Sequence, residues 1–218
     1  MQYHPLIDFF VLQGVPIQTV TLLLMLPVVA TLSALFRQVI GIKAFGIYTP
    51  SIITFALLAF DPNGVKYGIA IFLSVIFVGM VSRYILSRFR MLYLPRVAMT
   101  LSIISLAILG ILVLGGSFQR TGLASISVFP LLIMIMLAEK FVATQIERGT
   151  KAALLLALET LVISVAGYFL VSFDMLTTLL LSFPWIILFT FVVNFALGKW
   201  TGLRLSEYLR FRKILRHS

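Results

Sequence analysis

Glu159 is the one acidic residue, out of seven, that falls inside a long apolar run. It lies eight residues past Lys151, which is ~12 Å along a helix at 1.5 Å per residue. A carboxylate at such a depth costs a few kcal/mol or more, so it faces a bundle interior, pairs, or serves a function. Ala152 and Ala166 share its helical face, and small residues there suit close helix packing. Tyr48, Thr49, Ser51, Thr100 and Asn194 reach a similar depth, and Lys43, Arg96 and Lys140 form a basic rim above them. A carboxylate under a basic rim can hold a zwitterionic or anionic group, or pass a proton. The same residues also suit a purely structural ion pair or a hydrogen-bonded staple between helices.

Other chemistries are absent from the sequence. It contains no cysteine, so thiolate metal sites, disulfides and cysteine nucleophiles are excluded. Its two histidines, His4 and His217, stand one near each end, so no histidine metal set or Ser-His pair can form within the spans. There is no H-E-x-x-H, no phosphate-binding Walker loop and no pair of intramembrane aspartates. These absences argue against an enzyme and indicate neither cofactor nor metal.

The elements that position these residues are transmembrane helices. Of 218 residues, 61% are hydrophobic and 11% charged, against about 25% charged in a soluble domain. Membrane barrel strands alternate polar and apolar residues; here the apolar runs are continuous, so the expected class is all-α and polytopic. Seven runs emerge: 17–36, 44–60, 67–86, 97–114, 123–138, 152–171 and 178–197. The second and fifth are short for a span of about 17–25 residues, and each carries a proline, Pro50 and Pro130. The net charge of +10 reads as membrane topology rather than as a nucleic-acid signal. Alternate loops and ends collect 15 Lys and Arg on one side and 2 on the other, which places the N-terminus outside and the C-terminus in the cytoplasm.

Residues 1–16 contain Asp8 and no positive charge, which argues against a cleaved signal peptide and for an interfacial segment on the outer side. Residues 17–198 form the seven-helix domain. Residues 199–218 alternate basic and apolar positions at helical spacing, as does a helix on an anionic inner leaflet. A solvated tail and a dock for a soluble partner explain the same pattern.

Gly46–Ile53 and Ile126–Ile133 are alike: each centres on a proline, and each precedes a longer span without one. Helices two to four therefore read as repeated, inverted, in helices five to seven. Proline opens a helix ladder, and freed carbonyls in a membrane need protein or water partners. Paired broken helices in inverted halves often surround a midplane site. Ordinary proline kinks account for the same residues without a site.

Four stretches are distinctive: residues 37–46 (RQVIGIKAFG), 93–96 (YLPR), 139–149 (EKFVATQIERG) and 200–212 (WTGLRLSEYLRFR). Together they resemble the bacterial seven-transmembrane domain usually fused to an inactive transglutaminase-like domain, along nearly the whole chain. That resemblance implies an association with ATP-grasp ligases and with peptide or amino-acid-polymer metabolism. With 16 residues ahead of the first run, the extracytoplasmic domain is expected to be absent or removed. A remoter likeness, over helices two to six, is similar to the membrane subunit of poly-γ-glutamate synthesis called PgsC or CapC. It implies partnership with a cytoplasmic amide ligase, with Lys43, Arg88, Arg90 and Arg96 toward an anionic product or the ligase. The topological role of basic residues explains those charges without any ligand and is the preferred reading of them.

The expectation is a non-enzymatic subunit, in the bacterial cytoplasmic membrane, of a peptide or polyglutamate-like synthesis and export system. Two alternatives stand beside it: a proton-coupled transporter of amino acids or small peptides using Glu159, and a membrane sensor module.

Overall fold

A computed structural model describes residues 4–60, 64–117, 128–200 and 202. Among these residues the chain forms nine α-helices: α1 (Pro5–Leu12), α2 (Ile17–Leu35), α3 (Tyr48–Leu58), α4 (Gly64–Leu86), α5 (Tyr93–Ser117), α6 (Val128–Arg148), α7 (Thr150–Val171), α8 (Asp174–Ser182) and α9 (Ile187–Gly198). A π-helical turn, Phe36–Ile40, extends α2, and a 3₁₀ turn, Pro184–Ile186, leads into α9. Five helices are long and apolar enough to cross a membrane: α2 with its π turn, α4, α5, α6 and α7. The pair α8 and α9 makes a sixth if it counts as one bent span. The protein is a multi-pass, all-helical membrane protein.

Prolines mark where helices start. Pro5 opens α1 and Pro16 precedes α2 as its N-cap. Pro50, Pro95 and Pro130 each stand third in α3, α5 and α6, and Pro184 opens the 3₁₀ turn. The first-turn N–H groups of a helix have no intrahelical acceptor, so proline there removes nothing from the ladder. Pro50, expected to break a span in its middle, stands instead in the first turn of α3, and Pro130 stands third in α6, whose preceding residues lie outside the described ones. Pro27 alone among the described prolines lies beyond the first turn of its helix.

The expected seventh span is not one rod. At Phe183 the backbone leaves the helix (φ −133°, ψ 71°), because a residue preceding proline is driven from the helical region. The axes before and after the break differ by 103°. The second run shortens to the 11 residues of α3, ~16 Å of helix. The fifth, expected to end at Ala138, continues to Arg148; its start at Leu123 lies outside the described residues. The two triplets proposed as a repeat differ in build: 11, 23 and 25 residues against 21, 22 and a bent pair.

The chain divides into two compact units, Met1–Ser51 with Ala166–Ser218, and Ile52–Val165. In the first, α2 packs against α1, α8 and α9. The His4 side chain caps α1 by accepting from Leu6 N–H at 3.3 Å, and the His4 N–H donates to Leu181 O at 3.2 Å. Ile7, Val20 and Leu181 form a small buried cluster beside them. In the second unit, α4, α5 and α6 pack on one another around fully buried Phe72, Ile104, Met134 and Phe141. Within lipid such contacts act through close packing and hydrogen bonds rather than through escape from water. The link between α6 and α7 is the single residue Gly149, at φ +87°, a left-handed conformation in which a Cβ is strained.

Candidate functional site

The first unit carries a polar cavity at the end where α2 and α9 both finish. A chain of hydrogen bonds leads to it from Pro27. Thr31, one turn on, donates its hydroxyl to Pro27 O at 2.7 Å and accepts from Asn194 Nδ2, also at 2.7 Å. Asn194 Nδ2 donates in addition to Thr190 O at 2.8 Å. Both amide hydrogens of Asn194 are therefore engaged, and its carbonyl oxygen is the group it offers a ligand. Further along α2, buried Ser33 donates to Val29 O at 3.0 Å, and its oxygen stands 3.4 Å from Ser51 Oγ.

Beyond Ser33 the helix widens into the π turn, a feature that recurs at functional sites. Gly41 (φ 91°) ends the turn. Ala44 (φ 41°) and Gly46 (φ 92°) complete three left-handed residues within six; for buried Ala44 that is a strained conformation, held by its surroundings. These residues form the stretch 37–46 that stood out in the sequence. They deliver Arg37, Gln38 and Ile47 to a cavity of about 370 Å³, which Ala34, Asn194, Leu197 and Gly198 also line. Gln38 Nε2 makes a long hydrogen bond, 3.5 Å, to Trp200 O. The cavity thus combines one guanidinium with the amide oxygens of Gln38 and Asn194. That set suits a ligand bearing a carboxylate and an N–H donor.

The eight candidates from the sequence fall into both units. Lys43, Tyr48, Thr49, Ser51 and Asn194 lie in the first, Glu159, Arg96 and Lys140 in the second. Thr49 and Ser51 are buried and donate back to Phe45 O and Ile47 O, each at 2.9 Å. Back-bonds of this kind settle a hydroxyl on its own helix. Tyr48 and Lys43 are exposed, and Asn194 lines the cavity. In the second unit Glu159 is half-buried on α7 and Lys140 exposed on α6. Arg96 is half-buried in the first turn of α5, and donates through Nη2 to Met91 O at 3.1 Å. Thr100 donates to Arg96 O at 2.9 Å. Sequence reasoning missed Arg37 and Gln38 as site residues. Their signal was present: a polar pair directly after an apolar run and four residues ahead of a glycine.

No group of three or more His, Asp or Glu residues able to hold a metal occurs among the described residues. Compared with known proteins, residues 2–215 match the profile of a family described as seven transmembrane helices usually fused to an inactive transglutaminase. Neither a curated protein nor a solved structure matches the chain.

Proposed function

We propose, for a chain that belongs to the family of seven-helix membrane domains usually fused to an inactive transglutaminase, a non-enzymatic role in peptide or polyglutamate-like synthesis and export. The membrane subunit receives the acidic chain made by a cytoplasmic amide ligase. Arg37 takes a carboxylate through its planar fork, and Gln38 and Asn194 accept amide N–H groups. The single observation that carries this reading is the Arg37, Gln38 and Asn194 cavity. Its volume, about 370 Å³, lies within the roughly 300–1,000 Å³ of small-molecule sites.

Direction along the helices supports a cytoplasmic address. The starts of α2 and α9 lie near each other through Ile7 and Val20 on one side and the edge-to-face pair of His4 and Trp185 on the other. Their ends meet at Thr31 with Asn194 and Gln38 with Trp200. The two helices therefore run the same way. The positive-inside bias then assigns their shared end to the cytoplasm.

The test is binding of a fluorescent γ-linked glutamate oligomer to the full chain in nanodiscs. Saturable binding that rises in Kd about tenfold in Arg37→Gln, the size expected for one lost charge-assisted contact, supports the assignment. Absence of binding to the wild-type protein, or equal binding by Arg37→Gln, overturns it. A proton-coupled transporter built on Glu159 predicts instead that amino-acid uptake into proteoliposomes is abolished in Glu159→Gln.

A further inference from the structure

The second unit contains a separate set of polar atoms that the reading above leaves unused. Arg83 lies in the last turn of α4 and Arg96 in the first turn of α5. Among the described residues, Arg83 Nη1, Arg96 Nε, Ser82 Oγ and Gln145 Oε1 are buried without hydrogen-bond partners. Ser82 and Gln145 are 1% and 3% exposed.

Helix register brings the four to one end of the unit. A Cβ placed on Gly79 would lie 3.6 Å from Ile104 of α5 and 3.6 Å from Val142 of α6, so the three helices meet there. One turn further along α4 come Ser82 and Arg83. Two turns back along α5 comes Arg96, and one turn along α6 comes Gln145. Among the described helices α5 alone lies between α4 and α6 in the chain, and successive spans reverse direction, so each step leads toward the same end.

Two guanidinium groups at one end of the unit, each with a buried, unsatisfied nitrogen, are costly, because like charges repel and an unpaired buried donor loses its hydration. An anion placed between them removes both penalties. The geometry points to a phosphate-binding site formed by Arg83, Arg96 and Ser82 of α4 and α5, with Gln145 accepting from a phosphate hydroxyl or a bound water. A tetrahedral oxyanion has acceptor oxygens enough for Arg83 Nη1, Arg96 Nε and the Ser82 hydroxyl. The phosphate can belong to a lipid headgroup or to a soluble phosphate. Exposed Tyr84, Phe89, Leu92 and Leu94 beside the site offer a bed for acyl chains, and basic pockets between helices on the cytoplasmic side commonly hold acidic headgroups.

The experiment uses the full chain in dodecyl maltoside, a detergent without phosphate. Phosphatidylglycerol and inorganic phosphate are titrated separately, with adducts read by native mass spectrometry and melting followed in parallel. The wild-type protein is expected to retain one phosphatidylglycerol, or to be stabilised by inorganic phosphate, and the responding probe names the source. Affinity falls about tenfold or more in the double variant Arg83→Gln with Arg96→Gln. The variant Arg83→Lys with Arg96→Lys keeps the charge without the fork and retains part of the binding. This second pair serves if the glutamine pair does not fold. Arg88→Gln, at an exposed neighbouring arginine, binds like wild type. Failure of both probes to bind the wild-type protein overturns the site, as does an equal loss in Arg88→Gln.

Discussion

Both compact units settle buried hydroxyls on nearby carbonyls, and they differ in how tightly large side chains surround their polar groups. In the unit of residues 52–165, Thr54, Thr100, Thr160 and Ser164 have no exposure, and neither have the large side chains Phe141, Ile104 and Met134. Thr54 donates to Ser164 O at 3.1 Å, and Ser164 and Thr160 donate to carbonyls one turn back. The unit made from the two ends of the chain holds fewer large buried side chains, among them Ile7, Met25 and Leu180, and α9 has no buried residue at all. Its polar groups Arg37, Gln38 and Asn194 line an open cavity instead. Hydroxyls that satisfy themselves inside a packed helix cluster support structure, whereas amides and a guanidinium left at an open wall are available to a ligand.

The sharpest way to break this comparison is to remove one phenylalanine from each unit. Phe141 has no exposure, and Phe191 on α9 is 69% exposed. Phe141→Ala should cost about 3–5 kcal/mol, and Phe191→Ala should stay within about 0.5 kcal/mol. Thermal unfolding in one detergent measures both. Equal losses would show that α9 is packed as tightly as α6 and would end the distinction.

Glycines make a second, smaller contrast. A Cβ on Gly68 would run into the Leu57 side chain and lie 3.1 Å from Phe60, whereas nothing stands within 4 Å of one on Gly198. Overpacking by Gly68→Val should cost about 1–3 kcal/mol. Gly198→Val should leave the melting temperature nearly unchanged, yet narrow the cavity and weaken the glutamate oligomer. A neutral Gly68→Val would mean that α3 and α4 part easily at that contact.

What was legible in the sequence follows the same divide. Long apolar runs without proline became helices with nearly the expected limits: α4 ends at Leu86 and α7 at Val171, as read from the residues. Hydropathy reports where lipid contact stops, not where a helix stops, which is why α6 runs on through Glu139 and Lys140 to Arg148. It also hides a bend between apolar residues, so Thr178 and Leu197 seemed to share one rod when Phe183 and Pro184 divide them. The prolines were read as interruptions because a sequence does not say on which side of a proline the helix lies. Of the site, Asn194 was found by its rarity in an apolar run, while Arg37 and Gln38 were absorbed into the charge count. Their role depends on the π turn and the left-handed residues after it, and neither has a hydropathy signal.

A buried hydroxyl contact gives a still smaller effect. Thr54→Val removes the hydrogen bond from α3 to Ser164 O on α7. Interhelical bonds in membrane proteins average ~0.6 kcal/mol and reach ~1.7, so a melting shift of a degree or a few is expected. A loss above about 3 kcal/mol would indicate that the hydroxyls of this unit act as one network rather than as separate back-bonds.

The smallest structural effect belongs to Asn194, and it separates the units most usefully. Its amide bonds Thr31 and Thr190 at an exposed position, so Asn194→Ala should change stability by less than about 0.5 kcal/mol. If its carbonyl oxygen accepts an N–H from a peptide, the same substitution should still weaken the glutamate oligomer severalfold, the range of one neutral hydrogen bond. Asn194→Asp should weaken it further, because a carboxylate beside the cavity repels the acidic chain. Raising salt should reduce wild-type binding through screening of Arg37 while leaving the ratio between wild type and Asn194→Ala nearly constant, since that contact is uncharged. A ratio that collapsed with salt would assign the effect of Asn194 to the placement of Arg37 rather than to a contact of its own.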